Sequence, residues 1–458
     1  MKETLLRADS GRIARLQYGK ALRQKVPRSA QSHWKVQKEG RDPVNLLSET
    51  DHDRIRGLLP IRYGRMLQSP FAFLRGAAAV MAFDLARGPT TGIRVQACGD
   101  CHLMNFGAFA TPERHVIFDI NDFDETLPAP WEWDIKRLAA SIMVAGHYRG
   151  FADRKCADAV FAVARAYREK MTEYAGWPKL QVWYAHIDAE QIMEIASNAK
   201  PVSSAHKDAA GMAANLSARL LPKLTEVVDG KRRIKDDPPL VYHPAREKAF
   251  LARFRAAIMR YRRSLPAERR ALFNNYEIRD VAIKVVGVGS VGTICAVALL
   301  EADEDDHIFL QIKQARASVL EPYAGKSVYH NQGERVVVGQ RMMQSASDLF
   351  LGWSEIGKPS LDFYFRQLRD TKVSVNLDTL PIVEFTDYAH YCGWALARAH
   401  AKTGDAATIA GYLGSSDDFD QAMRQFATSY AKQTERDHAA LVKAVKSGRI
   451  RADTSGAV

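Results

Sequence analysis

Hydrophobic positions in this chain follow two periods, and the switches between them divide it into helical and β-rich stretches. "FAFLRGAAAVMAFDLARG" carries good helix formers and stops at Gly88 and Pro89, which predicts a helix from about Pro70 to Arg87. Two short β-branched runs follow, "GIRVQAC" and "HVIFDIND", and read as strands flanking the polar loop "GDCHLMNFG". Helical spacing then returns from "WEWDIKRLAASIMVAGHY" to about residue 270, with "SNAKPVSSAHKDAAG" and "DGKRRIKDDPPLVYH" as its loops.

Near residue 278 the period changes to that of strands. "IRDVAIKVVGVGSVGTICAVALLEADEDDHIFLQIKQA" reads as three strands joined by a Gly-rich turn and an acidic turn. A helix is expected over "NQGERVVVGQRMMQSAS", then strands at "DLFLGW" and "DFYFRQL". From "DYAHYCGWALARAHAKTG" to "LVKAV" the spacing is helical again, and "RADTSGAV" reads as a frayed tail. The fold class is therefore α+β: helices, a compact antiparallel β-rich block with one helix, then helices. The expected divisions are a basic, helical or loosely ordered arm over 1–45, a helical lobe over 46–275, a β-rich lobe over 276–370 and C-terminal helices over 371–458. A length of 458 residues fits two or three lobes with sizeable cores.

Composition narrows the classes. No apolar run reaches the roughly 18–20 residues that span a bilayer, and the start of the chain lacks the apolar core of a signal peptide, so a cytoplasmic, non-membrane protein is expected. Five scattered cysteines do not make a disulfide framework, and the single C-x-x-C, Cys98 and Cys101, reads as a pair of small buried residues. The net charge of +12 suits nucleotides or other anions. It suits a nucleic-acid groove about equally and a plain solvated surface better than either, because the basic residues are mostly interleaved with acids and no nucleic-acid motif accompanies them.

Two groups carry chemistry. Gly287, Gly289 and Gly292 form G-V-G-S-V-G, where backbone N–H groups can approach phosphate oxygens without a side chain in the way. The following "TICAVALLEA" is strand-like, which points to a flap between antiparallel strands over ATP phosphates instead of a dinucleotide fold; a hairpin with glycines for twist is the plain alternative. Lys313 stands alone in the apolar strand "FLQIKQA", a costly place for a lysine unless it meets an anion. Its expected helical partner is Glu334, with Glu321 as a rival.

The second group is the early polar loop. Asp100 and Asn105 are followed by Asp119, Asp122, Asp124 and Glu125 in "FDINDFDET". Carboxylates this dense repel one another unless a cation or donors compensate, and Asp and Asn oxygens are the ligands Mg2+ prefers. Phosphoryl transfer needs such ligands together with a carboxylate that prepares a hydroxyl.

G-D-x-H-x-x-N, a strand ending in D-F and then Asp134 in "WDIKRLA" resemble the catalytic region of aminoglycoside phosphotransferases and other protein-kinase-like enzymes. The resemblance implies a two-lobed kinase-like fold, Asp100 as catalytic base, Asn105 as a metal ligand and Asp134 as a structural carboxylate opening a helix. It makes Asp122 the second metal ligand, because Asp122 precedes Asp134 by twelve residues, with Asp119 as the alternative. The glycine flap and lysine come after the catalytic loop here, so the order looks circularly permuted, and "YAHYCGWALARAHAKTG" and residues 71–86 compete for the role of the helix that leads into that loop. "SPFAFLRGAAAVMAFDLA", "FLQIKQARASVLEPY" and "GQRMMQSASDLFLGW" also look like an uncharacterised bacterial family, a domain of unknown function, over most of residues 40–440.

The resulting expectation is an ATP- and Mg2+-dependent phosphotransferase acting on an unknown hydroxyl acceptor. A nucleotidyl (AMP) transferase, a metal-dependent phosphoesterase and a non-catalytic nucleotide- or nucleic-acid-binding protein are the alternatives.

Overall fold

Strand pairing around the early polar loop decides where its side chains go. The computed structural model describes residues 11–35, 40–188, 221–244, 247–285, 291–357, 360–368 and 375–454. The described residues start with α1 (Arg12–Lys25), where a loosely ordered arm was one expectation. Arg23 and Arg28 donate to the carbonyls of Tyr412 and Leu413 at 2.8 Å each. These lie in the last turn of a later helix, whose carbonyls have no helical partner, so part of the arm's positive charge is used inside the molecule.

The helix expected from Pro70 to Arg87 is broken into α2 (Pro70–Gly76) and α3 (Ala78–Leu85), because Ala77 leaves helical geometry at φ −112° and ψ 36°. The carbonyl of Gly76, freed by the break, accepts from Arg62 at 3.2 Å. Four short strands follow: β1 (Arg94–Ala97), β2 (Phe106–Ala110), β3 (Val116–Ile120) and β4 (Leu127–Pro130). β1 pairs with β4 in a register that sets Ala97 opposite Leu127, and β2 pairs with β3 with Phe106 opposite Ile120. Residues 98–105 and 121–126 are therefore strung between the same two ladders and must run side by side. The Asn121 N–H donates to the Asn105 carbonyl at 2.8 Å between them.

Two buried helices, α4 (Trp131–Tyr148) and α5 (Asp153–Gly176), complete the first half of the large apolar core. The stretch "SNAKPVSSAHKDAAG" lies outside the described residues. In "DGKRRIKDDPPLVYH" the structure has strand where a loop was expected: β6 (Lys231–Ile234) forms a hairpin with β5 (Thr225–Val228), which immediately precedes the stretch, and β7 (Val241–Tyr242) follows. Asp229 and Gly230 sit at φ 51° and 71°, the conformation an Asp-Gly hairpin turn favours.

The main sheet has the order β11-β12-β10-β9-β8-β7 and every pair in it is antiparallel. Helix α6 (Glu247–Tyr261) covers one face of the sheet. Its strands are β8 (Glu277–Lys284), β9 (Cys295–Asp303), β10 (Asp306–Gln314), β11 (Gly352–Ile356) and β12 (Leu361–Gln367), with α7 (Gln332–Met343) inserted before β11. The three-strand run and its helix agree with the sequence reading. β11 starts four residues later than expected, because Asp348 caps a turn by accepting from the Phe350 N–H. Along β10 the two-residue period puts Ile308, Leu310 and Ile312 into the core under α6, while Phe309, Gln311 and Lys313 take the other face.

Towards the C-terminus come α8 (Ile382–Thr403), α9 (Ala406–Leu413) and α10 (Asp418–Lys446), packed on the large core. No helix among the described residues is long and apolar enough to cross a membrane.

Candidate active site

Asp134, in the first turn of α4, organises the loop that carries Asp100. Its carboxylate accepts the backbone N–H groups of Cys98 at 2.7 Å and Gly99 at 3.0 Å, and His400 of α8 lies 3.2 Å away. Gly99 has φ +84°, and a Cβ there would sit 2.3 Å from the Glu125 carbonyl oxygen, so this position admits glycine and holds the two loops in contact. Further along, Ser141 of α4 accepts from the Leu103 N–H, and Tyr388 of α8 donates to the carbonyls of Leu103 and Phe106. Rigid helices thus fix the loop at both ends.

Asp100 leaves this frame with its carboxylate on Arg137, whose Nε donates at 2.6 Å. Burial pushes the Asp100 carboxyl up to about 6; Arg137 opposes the shift, and the charges of Glu125 and Asp122 add to it. Asn105 donates its Nδ2–H to the Asp100 carbonyl at 2.7 Å, which leaves its amide oxygen for another partner. His102 also lines the space, with Nδ1 accepting from the Met104 N–H.

The neighbouring loop meets the sheet. Lys313 Nζ donates to Asp124 at 2.6 Å and lies 3.9 Å from Asp122. Tyr364, opposite Lys313 in the β10–β12 register, donates its hydroxyl to the other Asp124 oxygen at 2.6 Å. Burial pushes Asp124 up, but the charge and hydrogen bond of Lys313 and the Tyr364 hydroxyl more than reverse this and leave it below the ordinary carboxylate value. Burial likewise works against the Lys313 charge, and Asp122 and Asp124 outweigh it, raising its pKa well above that of an ordinary lysine. Arg366, on the same face of the sheet, reaches the Asn121 carbonyl at 3.3 Å.

Helix α7 contributes differently from the expectation. Lys313 makes no ion pair with Glu334 or Glu321; its carboxylates are Asp124 and Asp122. The Glu334 N–H donates to the Asn331 side chain that caps α7. The next residue, Arg335, is the one that reaches the acidic loop, donating to the carbonyls of Asp124 at 2.8 Å and Thr126 at 2.6 Å.

Asp119 turns away from the site. It is fully buried, receives Arg398 of α8 at 2.7 and 2.9 Å, and accepts from the backbone and hydroxyl of Ser345. Asp122 is the more open of the two metal candidates, with 36% of its side chain exposed. Gly287 and Gly289 lie outside the described residues. Gly292, at φ +91°, packs against Arg54, and its carbonyl accepts from the Ile55 N–H at 2.7 Å, so the end of the glycine turn is tied to the helical half.

The two loops border one cavity of about 380 Å³, within the size range of small-molecule sites, and Lys313 meets it through Asp122 and Asp124 instead of lining it. Asp100, Asn105, Asp122, Asp124 and Glu125 line it together with Arg54, Arg62, Arg75 and Arg316. Sequence reasoning missed Tyr364, Arg335, Arg137 and Arg75. Arg137 was within reach, since three positions after Asp134 is one helical turn; Tyr364 needed the strand register.

Cys98, Cys101 and Asp134 also lie close enough together to hold a metal ion. Burial raises both thiols, and the Asp134 oxygens are already occupied by backbone N–H groups and His400, so the three read as packing of the loop.

No curated protein and no solved structure matches the chain. Residues 54–444 match a family described as uncharacterized proteins conserved in bacteria (DUF2252). That match spans most of the sequence, and the chain belongs to this family.

Proposed function

We propose that the protein is an ATP- and Mg2+-dependent phosphotransferase of protein-kinase-like type, acting on a hydroxyl acceptor. The observation that carries this reading is the meeting of Lys313 with Asp124 and Asp122 at the edge of a cavity that also holds Asp100 and Asn105. A glycine turn between the first two strands of an antiparallel run, a lysine on the third and a helix next is how protein kinases build their phosphate-binding lobe. The partner of that lysine is where this chain departs from the pattern, since an acidic loop takes the place of a helical glutamate.

The donor set fits a hard cation. Asp122 and Asn105 would present oxygen ligands to Mg2+, and the bound ion would supply charge neutralisation at the transferred phosphoryl group. Asp100 would accept the proton of the acceptor hydroxyl, and a pKa near 6 leaves it ionised and still basic enough at neutral pH. Arg137 keeps that carboxylate in place, and Asp134 holds the backbone on which it sits.

Circular permutation gains support from where α8 ends. Gly404, just past α8, lies against Val95 and the Arg94 carbonyl at the start of β1. A chain in the ordinary kinase order would pass from such a helix into the catalytic strand at this point. Transfer of labelled phosphate from γ-labelled ATP to a panel of hydroxyl compounds tests the reading. Transfer that falls by roughly 10²–10⁴ in Asp100→Asn supports it, and transfer unaffected by that change overturns it.

A further inference from the structure

The cavity holds a cation for which the proposed reaction has no use. Arg75 lies next to the break between α2 and α3 and lines the wall together with Gly76, Ala78 and Asp100. Its guanidinium sits 6.0 Å from the Phe71 ring centroid. Among the described residues it makes no hydrogen bond or ion pair, and its Nε is buried without a partner.

The other arginines of the cavity are engaged. Arg62 pairs with Asp51 at 3.0 Å, Arg316 with Asp53 at 2.7 Å, and Arg54 donates to the carbonyls of Thr50 and Val291. Burial lowers the pKa of Arg75, and only the Asp100 charge acts in the other direction. A guanidinium held in a partly dry wall without a counter-ion carries a desolvation cost that a bound anion would offset.

Position decides which anion. A hydroxyl that gives its proton to Asp100 must come within hydrogen-bond reach of it, and Arg75 borders the same part of the cavity. The nucleotide phosphates have their own cation in Lys313, which is bonded to Asp124 and does not line the wall that Arg75 and Asp100 share. We infer that Arg75 anchors an anionic group, phosphate or carboxylate, carried by the acceptor, so that the substrates are small hydroxylated anions. This rests on the phosphotransferase reading for the role of the hydroxyl, although the anion site itself does not.

The test uses inorganic phosphate as probe of the anion site and a non-hydrolysable ATP analogue with Mg2+ as probe of the nucleotide site, both by calorimetry on the full chain at constant ionic strength. Phosphate should bind wild type in the presence of saturating analogue. Arg75→Gln should weaken phosphate at least about tenfold and change the analogue less than about twofold, while Arg75→Lys keeps part of the phosphate affinity. Lys313→Ala should show the converse. Among paired acceptors such as glycerol and glycerol 3-phosphate, the anionic member should have at least a tenfold higher kcat/KM.

Absence of phosphate binding, phosphate binding indifferent to Arg75→Gln, or preference for the neutral acceptors overturns the inference. Weakening of the analogue by Arg75→Gln also overturns it, by making Arg75 a nucleotide residue. Phosphate binding that depends on Arg75 in a protein that does not bind the analogue keeps the anion site and overturns the phosphotransferase reading instead.

Discussion

Lys313 and Asp124, 189 positions apart in the chain, form a hydrogen-bonded ion pair at 2.6 Å under the hydroxyl of Tyr364. Removing one partner of a largely buried pair leaves an uncompensated charge, a cost of about 3–5 kcal/mol. Lys313→Met should therefore destabilise the protein by about that much in urea denaturation. Lys313→Met combined with Asp124→Leu should recover a large part of the loss, since it removes both charges. Equal or greater destabilisation in the double variant would mean that the pair is not the contact that matters.

Asp119 and Asp122 should separate cleanly. Asp119→Ala strands Arg398 in the core and is expected to cost about 3–5 kcal/mol of stability. Asp122→Ala, at a partly open position, should stay within about 0.5 kcal/mol of wild type while abolishing Mg2+-dependent nucleotide binding. Denaturation curves and calorimetry on the two variants measure both quantities.

If Asp100 is the base of the proposed transfer, it should set the acid limb of activity. Its carboxyl, pushed up to about 6 mainly by burial, must be ionised to accept a proton. On the alkaline side of that value kcat/KM should be flat, and on the acid side it should fall about tenfold per pH unit. Arg137→Gln removes the cation that opposes the shift, so the limb should move to higher pH. A limb that stays in place would show that the titrating group is another residue.

Gly99→Ala tests the contact between the two loops. The change meets both a left-handed backbone and the Glu125 carbonyl, so it should destabilise by more than about 1 kcal/mol and reduce phosphate transfer. Thermal denaturation and turnover of the purified variant report the two effects. Wild-type behaviour in both would contradict the loop packing described here.

Much of the site was legible because its chemistry is local in sequence. Asp100, Asn105 and Asp122 stand within 23 positions, and a lysine in an apolar strand after a glycine turn is conspicuous. What was not legible depends on distant pairing. Asp124 displaces Glu334 as the Lys313 partner because two ladders string its loop beneath β10. Tyr364 enters through the register of β12, and Asp119 is withdrawn by Arg398, 279 positions away. The β5–β6 hairpin was a misreading of visible signals, since Asp-Gly stands there between β-branched and basic runs. The break at Ala77 had only a weak local marker in Gly76, since a single glycine lowers helix propensity without requiring a break and the alanines after it are strong helix formers.

Thermal stabilisation by ATP with Mg2+ tests most directly whether the acidic loop and the glycine hairpin form one nucleotide site. A ligand at 100 times its dissociation constant stabilises the folded state by about 2.7 kcal/mol, enough to raise Tm by several degrees. Wild type should show that rise, Asp122→Ala and Lys313→Ala should each lose it, and their combination should lose no more. No rise in wild type, or an undiminished rise in both variants, would contradict the account.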